Sequence, residues 1–480
     1  MLILLYVVSL YHRIPHTDDA WLGEHAYWFS KEGYVKSELL RGFDHQQEKL
    51  LSNHKLETYI GGFFISVFGF SLYTLKSSTL VLFAIFIVVL IFYMRRRFLQ
   101  YKRIVIPFSL NLLIGSALIF EYSFVFRPEI LLMLLGFVSF IFLERFLVKG
   151  KPIYNAIISG VFAGLAAFGH LNGLTFMVSG GLMLLVNKRY KALVLFAIFS
   201  VVAFSMYFLG FHDAQDFLLW KEQLTYAPSE DNMVRGIFSL FLNNILDEHM
   251  RFFHSPKEIS ISVLIIFSLI VLLINVKEND RINLSFRYLI IMMISLAFIA
   301  IQRTSKYSII YYPYYIILIS ELYTYIYKKG ASFIRNHWSS RLFVLLLLVF
   351  LITNTVYSAI LTSKKWDMHK ENELMILKYI DEDPKDIIIA SPMIYIFDHN
   401  IEHFKRIQAI LYFSKLEVNN QIDERKQFLL EGDKDHINYY FLSNTFMKNL
   451  GMQGYKKGDV LYGKFKIIES RPDWMVIKRE

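Results

Sequence analysis

Long apolar runs separated by short polar loops occupy most of this 480-residue chain. An α-helix needs roughly 20 apolar residues to cross a bilayer, so the pattern predicts about eleven membrane-spanning helices. The predicted spans are Leu2–Leu10, Leu75–Tyr93, Ile104–Phe120, Ile130–Phe146, Ile153–Phe168, Leu171–Val186, Ala192–Leu209, Ile259–Ile274, Tyr288–Ile301, Ile309–Tyr327 and Leu342–Leu361. The first run is short, so we expect that Tyr11–Ile14 extends it or that the native N-terminus lies upstream. A signal peptide is the alternative, although its basic leading region is missing.

The pattern changes after residue 361. Helical spacing and short β-rich runs follow, at Leu374–Ile380, Asp386–Ala390, Phe465–Ile468 and Trp474–Lys478. These runs predict a helix followed by strands. We therefore expect a polytopic α-helical membrane domain over residues 1–361 and a small α/β domain over residues 362–480. The tail has no glycine-rich phosphate loop and no nucleophile elbow, and we expect His399 and His403 to be structural or solvated.

Composition supports the membrane assignment. The chain is 55% hydrophobic and 17% aromatic, and its mean hydropathy is +0.39. One soluble core cannot hide so much apolar surface, so lipid must cover a large part of it. The absence of cysteine excludes disulfides, thiolate metal sites and cysteine nucleophiles, but it leaves the compartment open.

Basic residues lie in every second loop, and this regularity orients the helices. If the first span runs outward, the cytoplasmic loops contain Arg95, Arg96, Arg97, Lys102, Arg103, Lys149, Lys151, Lys188, Arg189, Lys191, Lys277, Arg281, Lys328, Lys329, Arg335 and Arg341. Three larger segments then lie outside, at about 12–74, about 210–258 and 362–480. The net charge of +10 is explained by orientation and by contact with anionic lipids, and nucleic-acid binding has no further support.

The first of these outer segments contains an acidic pair, Asp18 and Asp19, directly after the first span. Carboxylates at the mouth of a membrane helix are costly, so they are candidates for function. The apolar stretch Tyr59–Phe70 in the same segment suits a helix lying at the membrane interface. His16 with this pair suggests a metal site, but the spacing matches no ligand pattern. We expect no metal or other cofactor, with a divalent ion as the alternative.

The order of these features resembles the GT-C glycosyltransferases. A short first span is followed by an outer loop that opens with Thr17–Glu24, an amphipathic stretch and a second span ending in basic residues. The likeness is strongest to the branch that contains protein O-mannosyltransferases and bacterial aminoarabinose transferases. Such enzymes take a sugar from a polyprenyl-phosphate carrier and pass it to an extracytoplasmic acceptor. The resemblance therefore implies a GT-C fold, an inner-membrane location and a membrane glycosyltransferase.

The resemblance also implies roles for individual residues. Asp18 takes the place of the family's aspartate, Asp19 that of its glutamate, and Glu24 that of a later acidic residue. Asp18 would be the catalytic base, because an attacking hydroxyl or amine must lose a proton as the new bond forms, while Asp19 would support or orient the loop. An inverting displacement of the carrier phosphate would need no covalent sugar–enzyme intermediate.

Positive groups would hold the departing phosphate, and by resemblance these are Lys55, Arg303 and Lys306. Anchoring of these cations at the lipid headgroups is the other interpretation. Arg127 and Glu129 should face the bundle interior and border the carrier pocket. A structural ion pair with Glu121 is an equal alternative.

A polar hairpin between two predicted spans contains two further candidates, His170 and Asn172. The resemblance implies that these residues contact sugar or phosphate. A tight reversal with satisfied polar groups is the other interpretation.

Two other functions remain open from the sequence. A transporter or flippase of a lipid-linked substrate is the main alternative, but the charged groups gather on one face and no inverted repeat is visible. A membrane scaffold that presents its tail to a partner is the second. The sequence does not distinguish a lipid, a glycan or a protein as acceptor, and it does not identify the sugar.

Overall fold

A computed structural model describes residues 2–13, 15–41, 45–225, 246–275, 280–300, 304–364, 388–391, 407–409, 436–472 and 474–480, with residues 366, 367, 370, 374, 429 and 430. The helices within these ranges are α1 Leu2–Ser9, α2 Thr17–Glu32, α3 Lys55–Phe68, α4 Leu72–Arg97, α5 Lys102–Ile114, α6 Ala117–Tyr122, α7 Glu129–Leu147, α8 Tyr154–Gly169, α9 Leu174–Val186, α10 Tyr190–Ser205, α11 Ala214–Thr225, α12 Met250–Phe253, α13 Pro256–Asn275, α14 Asp280–Ile299, α15 Tyr312–Asn336, α16 Trp338–Lys364 and α17 Asn444–Asn449. Short 3₁₀ turns at Leu171–Gly173 and Ser305–Tyr311 join pairs of these helices.

Six helices in the described part of the chain are long and apolar enough to cross a membrane. They are α4, α7, α13, α14, α16 and the segment Tyr190–Phe208, and two shorter apolar helices cover Tyr154–Gly169 and Leu171–Val186. The protein is therefore an integral membrane protein, as its composition predicts. The count of about eleven spans is not confirmed, because several predicted spans coincide with shorter helices.

The predicted span Ile104–Phe120 shows why the count differs. The helix stops at Gly115, and Ser116 then caps α6 by accepting a hydrogen bond from the amide of Ile119. A serine oxygen that accepts from the first turn is a common helix start. One apolar run thus folds as two helices.

Small residues bring α8 and α10 into close contact. A Cβ added to Gly160 would lie 2.5 Å from the carbonyl oxygen of Phe196, and one added to Gly164 would lie 2.2 Å from that of Ser200. The Ser200 hydroxyl donates to the carbonyl oxygen of Gly160 at 3.0 Å. Since lipid provides no hydrophobic drive between helices, such close backbone packing is a main source of their association.

The described tail contains a six-stranded sheet. Its strands are β1 Ile388–Ser391, β2 Ile407–Ala409, β3 Ile437–Ser443, β4 Val460–Leu461, β5 Phe465–Ser470 and β6 Trp474–Arg479. The spatial order is β2-β1-β3-β6-β5-β4, with β1 parallel to both neighbours and the remaining pairs antiparallel. The small sheet domain and three of its strands are thus confirmed. The predicted helix Leu374–Ile380 and the residues His399 and His403 lie outside the described ranges.

One face of this sheet packs against the first part of the chain. Tyr439, Phe441, Trp474 and Val476 form a buried cluster with α2, and strand pairing places Phe441 opposite Val476. Alternate residues, such as Tyr440 and Ile477, pack on the other face in the tail's own core. The two-residue period of a strand therefore divides β3 and β6 between two cores.

Candidate active site

The acidic pair lies in the first turn of α2, and the helix start itself fixes the two side chains. His16 is the N-cap residue, and its ring nitrogen Nδ1 accepts a hydrogen bond from the amide of Asp18 at 3.2 Å. The carboxylate of Asp19 accepts in return from the amide of His16 at 2.7 Å. This reciprocal capping satisfies two amides that the helix leaves unpaired.

Asp19 is fully buried and bound on both oxygens. Oδ1 accepts from the amide of Phe126 at 2.6 Å, while Oδ2 accepts from His16 and lies 3.8 Å from the ammonium of Lys76. These bonds connect the start of α2 to α4 and to the loop before α7. Asp19 therefore has the surroundings of a structural residue, in line with the supporting role that the sequence analysis gives it.

Asp18 lies in a cluster of opposite charge. Its Oδ2 contacts Nη1 of Arg127 and lies 4.0 Å from Nζ of Lys306. Nδ1 of His16 is 3.1 Å from the same oxygen. The side chain of Asp18 keeps 14% exposure, unlike that of Asp19. A partly accessible carboxylate thus lies next to two cations from distant parts of the chain.

Arg127 is held in place by Glu129. Its Nε donates to both carboxylate oxygens at 3.2 and 3.0 Å, and its Nη2 donates to Oε1 at 2.7 Å. A bidentate pair fixes the plane of the guanidinium. Glu121 instead lies 3.4 Å from Lys257, so the alternative ion pair between Arg127 and Glu121 is not the one observed.

The hairpin between α8 and α9 completes the cluster. His170 caps its 3₁₀ turn by accepting from the amide of Asn172 at 2.9 Å, and a Cβ on Gly173 would lie 2.2 Å from the backbone of Ala166. His170, Asn172 and Glu129 line one narrow recess together with Tyr307. The hairpin is therefore a tight reversal, and it also lies at the candidate site.

Burial controls the charges around this recess. It lowers the pKa of Lys306 to about 8, and repulsion from Arg127 adds to the effect. It lowers the pKa of His54 to about 4 and holds that of His170 well below its ordinary value. Both histidines are thus neutral at pH 7, while Lys306 is still mostly protonated there. A site of this kind offers a cation that titrates close to working pH.

Three predicted site residues lie apart from the cluster or outside the described ranges. Glu24 is buried and accepts hydrogen bonds from Trp28 Nε1, Ser37 Oγ and the amide of Glu38, at 3.0, 2.6 and 2.6 Å. The ammonium of Lys55 donates to the carbonyl oxygen of Leu209 at 2.9 Å, and burial lowers its pKa to about 8. Arg303 is not among the described residues. Glu24 organises the loop after α2, and Lys55 binds the backbone just after the segment Tyr190–Phe208.

Sequence reasoning gave no site role to Lys76, which the structure places beside a predicted residue. Lys76 is 1% exposed and lies near Asp19. The sequence could have indicated this residue, because a lone lysine in an apolar span is costly. The ring of His54 packs 4.3 Å from that of His170, a contact between distant parts of the sequence that no local pattern indicates.

No group of three or more histidine, aspartate or glutamate side chains in the described part of the chain is arranged to hold a metal ion. The sequence expectation of no metal stays a prediction.

The architecture defines the class of protein. The helical membrane domain with a C-terminal sheet domain has the GT-C fold, and two solved structures share it over nearly the whole chain. ArnT from Cupriavidus metallidurans bound to undecaprenyl phosphate matches with a TM-score of 0.59 at 10% identity, covering 99% of this chain and 96% of that one. The apo structure of the same protein matches with a TM-score of 0.58 at 11% identity and the same coverage. No protein-family model matches the sequence, and no curated protein matches it significantly.

Proposed function

We propose that this protein is a membrane glycosyltransferase that moves a hexosyl or pentosyl group from a polyprenyl-phosphate donor to an extracytoplasmic acceptor. The observation that carries the proposal is the cluster in which Asp18 meets Arg127 and Lys306. Transfer from a phosphate carrier needs both a base for the acceptor and cations for the leaving group. The shared fold with a protein that binds undecaprenyl phosphate supports the nature of the carrier.

The reaction is a displacement at the anomeric carbon. A hydroxyl or amine of the acceptor attacks this carbon, and its proton passes to the carboxylate of Asp18. The bond between the anomeric carbon and the phosphate oxygen breaks, and its electron pair leaves with the polyprenyl phosphate. Attack from the face opposite the phosphate inverts the anomeric configuration.

The two cations serve the leaving group. Negative charge grows on the phosphate as the bond breaks, and Arg127 and Lys306 lie at a site with little solvent, where their charge acts strongly. Glu129 holds the guanidinium in a fixed plane, so little reorganisation is needed during the reaction. Arg127 and Lys306 are therefore the phosphate-binding residues of this proposal.

The same cations link donor binding to the availability of the base. Without donor they pair with the carboxylate of Asp18. A phosphate that enters the cluster competes for both cations, and this frees the carboxylate to meet the acceptor.

Other predicted residues have secondary roles in this proposal. His170 and Asn172 contact the sugar or the phosphate from the hairpin, while Lys55 and Arg303 are further candidates for phosphate contacts. Asp19 and Glu24 support the loop that carries the base. No cofactor takes part.

The basic loops suggest that the cluster and the tail face the extracytoplasmic side of the inner membrane. The carrier's lipid tail would enter the site from the bilayer, and a lipid, glycan or protein acceptor would enter from outside. Orientation can be tested by labelling single cysteines, because the native chain has no cysteine. Asp213→Cys should react with a membrane-impermeant maleimide on the outer side.

Mass spectrometry of membrane lipids and glycans tests the activity. Cells that lack the protein should miss a mass of one sugar residue, and wild-type protein should restore it. Asp18→Asn should fail to restore it, whereas Asp247→Asn, the same change at an exposed carboxylate, should succeed. Full activity of Asp18→Asn would reject the assignment of the base. With a labelled donor, release of free polyprenyl phosphate indicates transfer, and translocation without sugar loss indicates a flippase.

A further inference from the structure

A second cationic site lies at the other end of the helices that carry the candidate active site. Glu129 begins α7 within the Asp18 cluster, and Glu144 lies fifteen residues further along the same helix, about 22 Å away. A cavity of about 230 Å³ opens beside Glu144, between α4 and α7. It is separate from the site at which we propose glycosyl transfer.

At this cavity Arg97 lies between two carboxylates. Arg97 donates to Glu144 at 2.9 Å and to Glu321 at 2.7 Å, and it donates also to the hydroxyl of Tyr93 at 2.6 Å. Arg97 is 3% exposed, and its Nη2 has no hydrogen-bond partner in the described part of the chain. A buried N–H donor without a partner is costly unless a ligand or water satisfies it.

Four more basic side chains line the cavity, and they leave it strongly positive. These are Arg96, Arg145, Lys149 and Arg281. Burial lowers the pKa of Lys149, and repulsion from the neighbouring arginines adds to this effect, although Glu144 opposes it. Among the described residues, Glu144 is the only carboxylate in the lining. An anion would relieve this repulsion.

The remaining wall is apolar and continues onto the surface of the bundle. Val89, Val138 and Ile141 line it with Phe92, which is 57% exposed. The exposed face of a membrane-spanning helix contacts lipid acyl chains. An acyl chain can therefore follow this wall, while a phosphodiester occupies the basic part.

We propose that this cavity is a binding site for an anionic phospholipid. The headgroup phosphate binds among Arg96, Arg145, Lys149 and Arg281, and one acyl chain lies along the apolar wall. Basic pockets between membrane helices bind anionic headgroups in this way. A free phosphate ion would use only the basic half of the site.

Ligand titration by native mass spectrometry of the full-length protein in neutral detergent tests the proposal. The probes are dioctanoyl phosphatidylglycerol, dioctanoyl phosphatidylcholine and inorganic phosphate. The double variant Arg145→Gln/Arg281→Gln should bind phosphatidylglycerol about 25-fold less tightly than wild type, from roughly fivefold per basic side chain. The matched control Arg95→Gln/Arg103→Gln removes the same charge at exposed positions outside the cavity and should change the affinity less than about twofold.

A third variant distinguishes the binding of a lipid from the binding of a soluble anion. Val138→Trp leaves every basic residue in place and obstructs the apolar wall, so it should weaken lipid binding and leave phosphate binding unchanged. Equal binding of the two lipids, or equal losses in the cavity and control variants, would overturn the proposal. If inorganic phosphate displaces phosphatidylglycerol at the same concentration, the cavity binds a soluble anion and the proposal is overturned. Circular dichroism of each variant confirms that the helices are retained.

Discussion

The carboxylate of Asp18 contacts the guanidinium of Arg127, and the bidentate pair with Glu129 fixes that guanidinium in turn. The proposed base and a proposed phosphate-binding cation therefore share one contact. A change at either residue therefore alters the electrostatic environment of the other.

Arg127→Lys tests the geometry of this contact, because it keeps the charge and loses the planar fork. We expect transfer activity to fall about 100-fold, the scale of losing one preorganised partner of a developing charge. Arg471→Lys makes the same change at an exposed ion pair in the tail and should leave activity unchanged. The rate of donor turnover measures the activity of both variants. A fully active Arg127→Lys would mean that charge alone is sufficient.

We expect Asp18 to be needed for activity and Asp19 to be needed for stability. Asp18→Asn should lose activity and keep its thermal midpoint, because Arg127 remains paired with Glu129. Asp19→Asn should lose stability, by about 3 kcal/mol when one partner of a buried charged network is removed. Thermal unfolding in detergent, compared with activity at low temperature, separates the two effects. An Asp19→Asn protein that is stable but inactive would place Asp19 in the chemistry.

The pKa of Lys306 predicts a pH dependence. Burial lowers this pKa to about 8, so the ammonium is charged below pH 8 and loses its charge above it. Because kcat/KM reports the free enzyme, it should fall as the pH rises through about 8. Lys306→Arg should remove this fall in kcat/KM, since arginine stays charged. If the fall near pH 8 is unchanged in that variant, another group titrates there.

Glu24 predicts a pH dependence of stability. Burial raises its pKa to about 7, although hydrogen bonds from Ser37 and Trp28 oppose the shift. The folded state then holds a proton that the unfolded state releases near pH 4.5, so this contribution is full below that pH. It disappears as the pH rises towards 7, by about 3 kcal/mol. Glu24→Gln does not titrate, so its deficit in thermal midpoint relative to wild type should shrink between pH 5 and 8. A constant deficit would contradict the raised pKa.

Trp474→Ala tests the contact between the tail sheet and α2. The side chain is 5% exposed in the cluster that joins them, so its removal should cost about 3–5 kcal/mol. Limited proteolysis should then release the tail earlier than in wild type. Tyr462→Ala, at a 41% exposed position of the same domain, should leave the cleavage rate unchanged. Equal rates for Trp474→Ala and wild type would show that the sheet docks through other contacts.

The sequence predicted the helices well because lipid imposes a strong and local requirement for apolar residues. It predicted the break at Gly115 and Ser116 less well, since a capping serine within an apolar run looks like any other small residue. It also assigned Arg97 to a cytoplasmic loop only as an orienting charge. The structure buries Arg97 against Glu321, a partner that no local pattern indicates.

The candidate site was predictable where a polar residue stood at the end of an apolar run. Asp18, Arg127 and Lys306 share this property, and the structure brings them together. Lys55 has the same local signal but turns towards Leu209. The direction of this side chain depends on where the chain that follows α10 passes the start of α3, which the sequence does not reveal.

The bond from the amide of Phe126 to Asp19 has a further consequence. Neighbouring residues of α2, Asp18 and Asp19, contact neighbouring residues of the loop before α7, Arg127 and Phe126. Two adjacent contacts prevent these segments from sliding or rotating past each other while both persist. In the proposed function, donor entry would separate Asp18 from Arg127 by rotation of the Asp18 side chain, while the bond from Phe126 to Asp19 keeps the two segments in register.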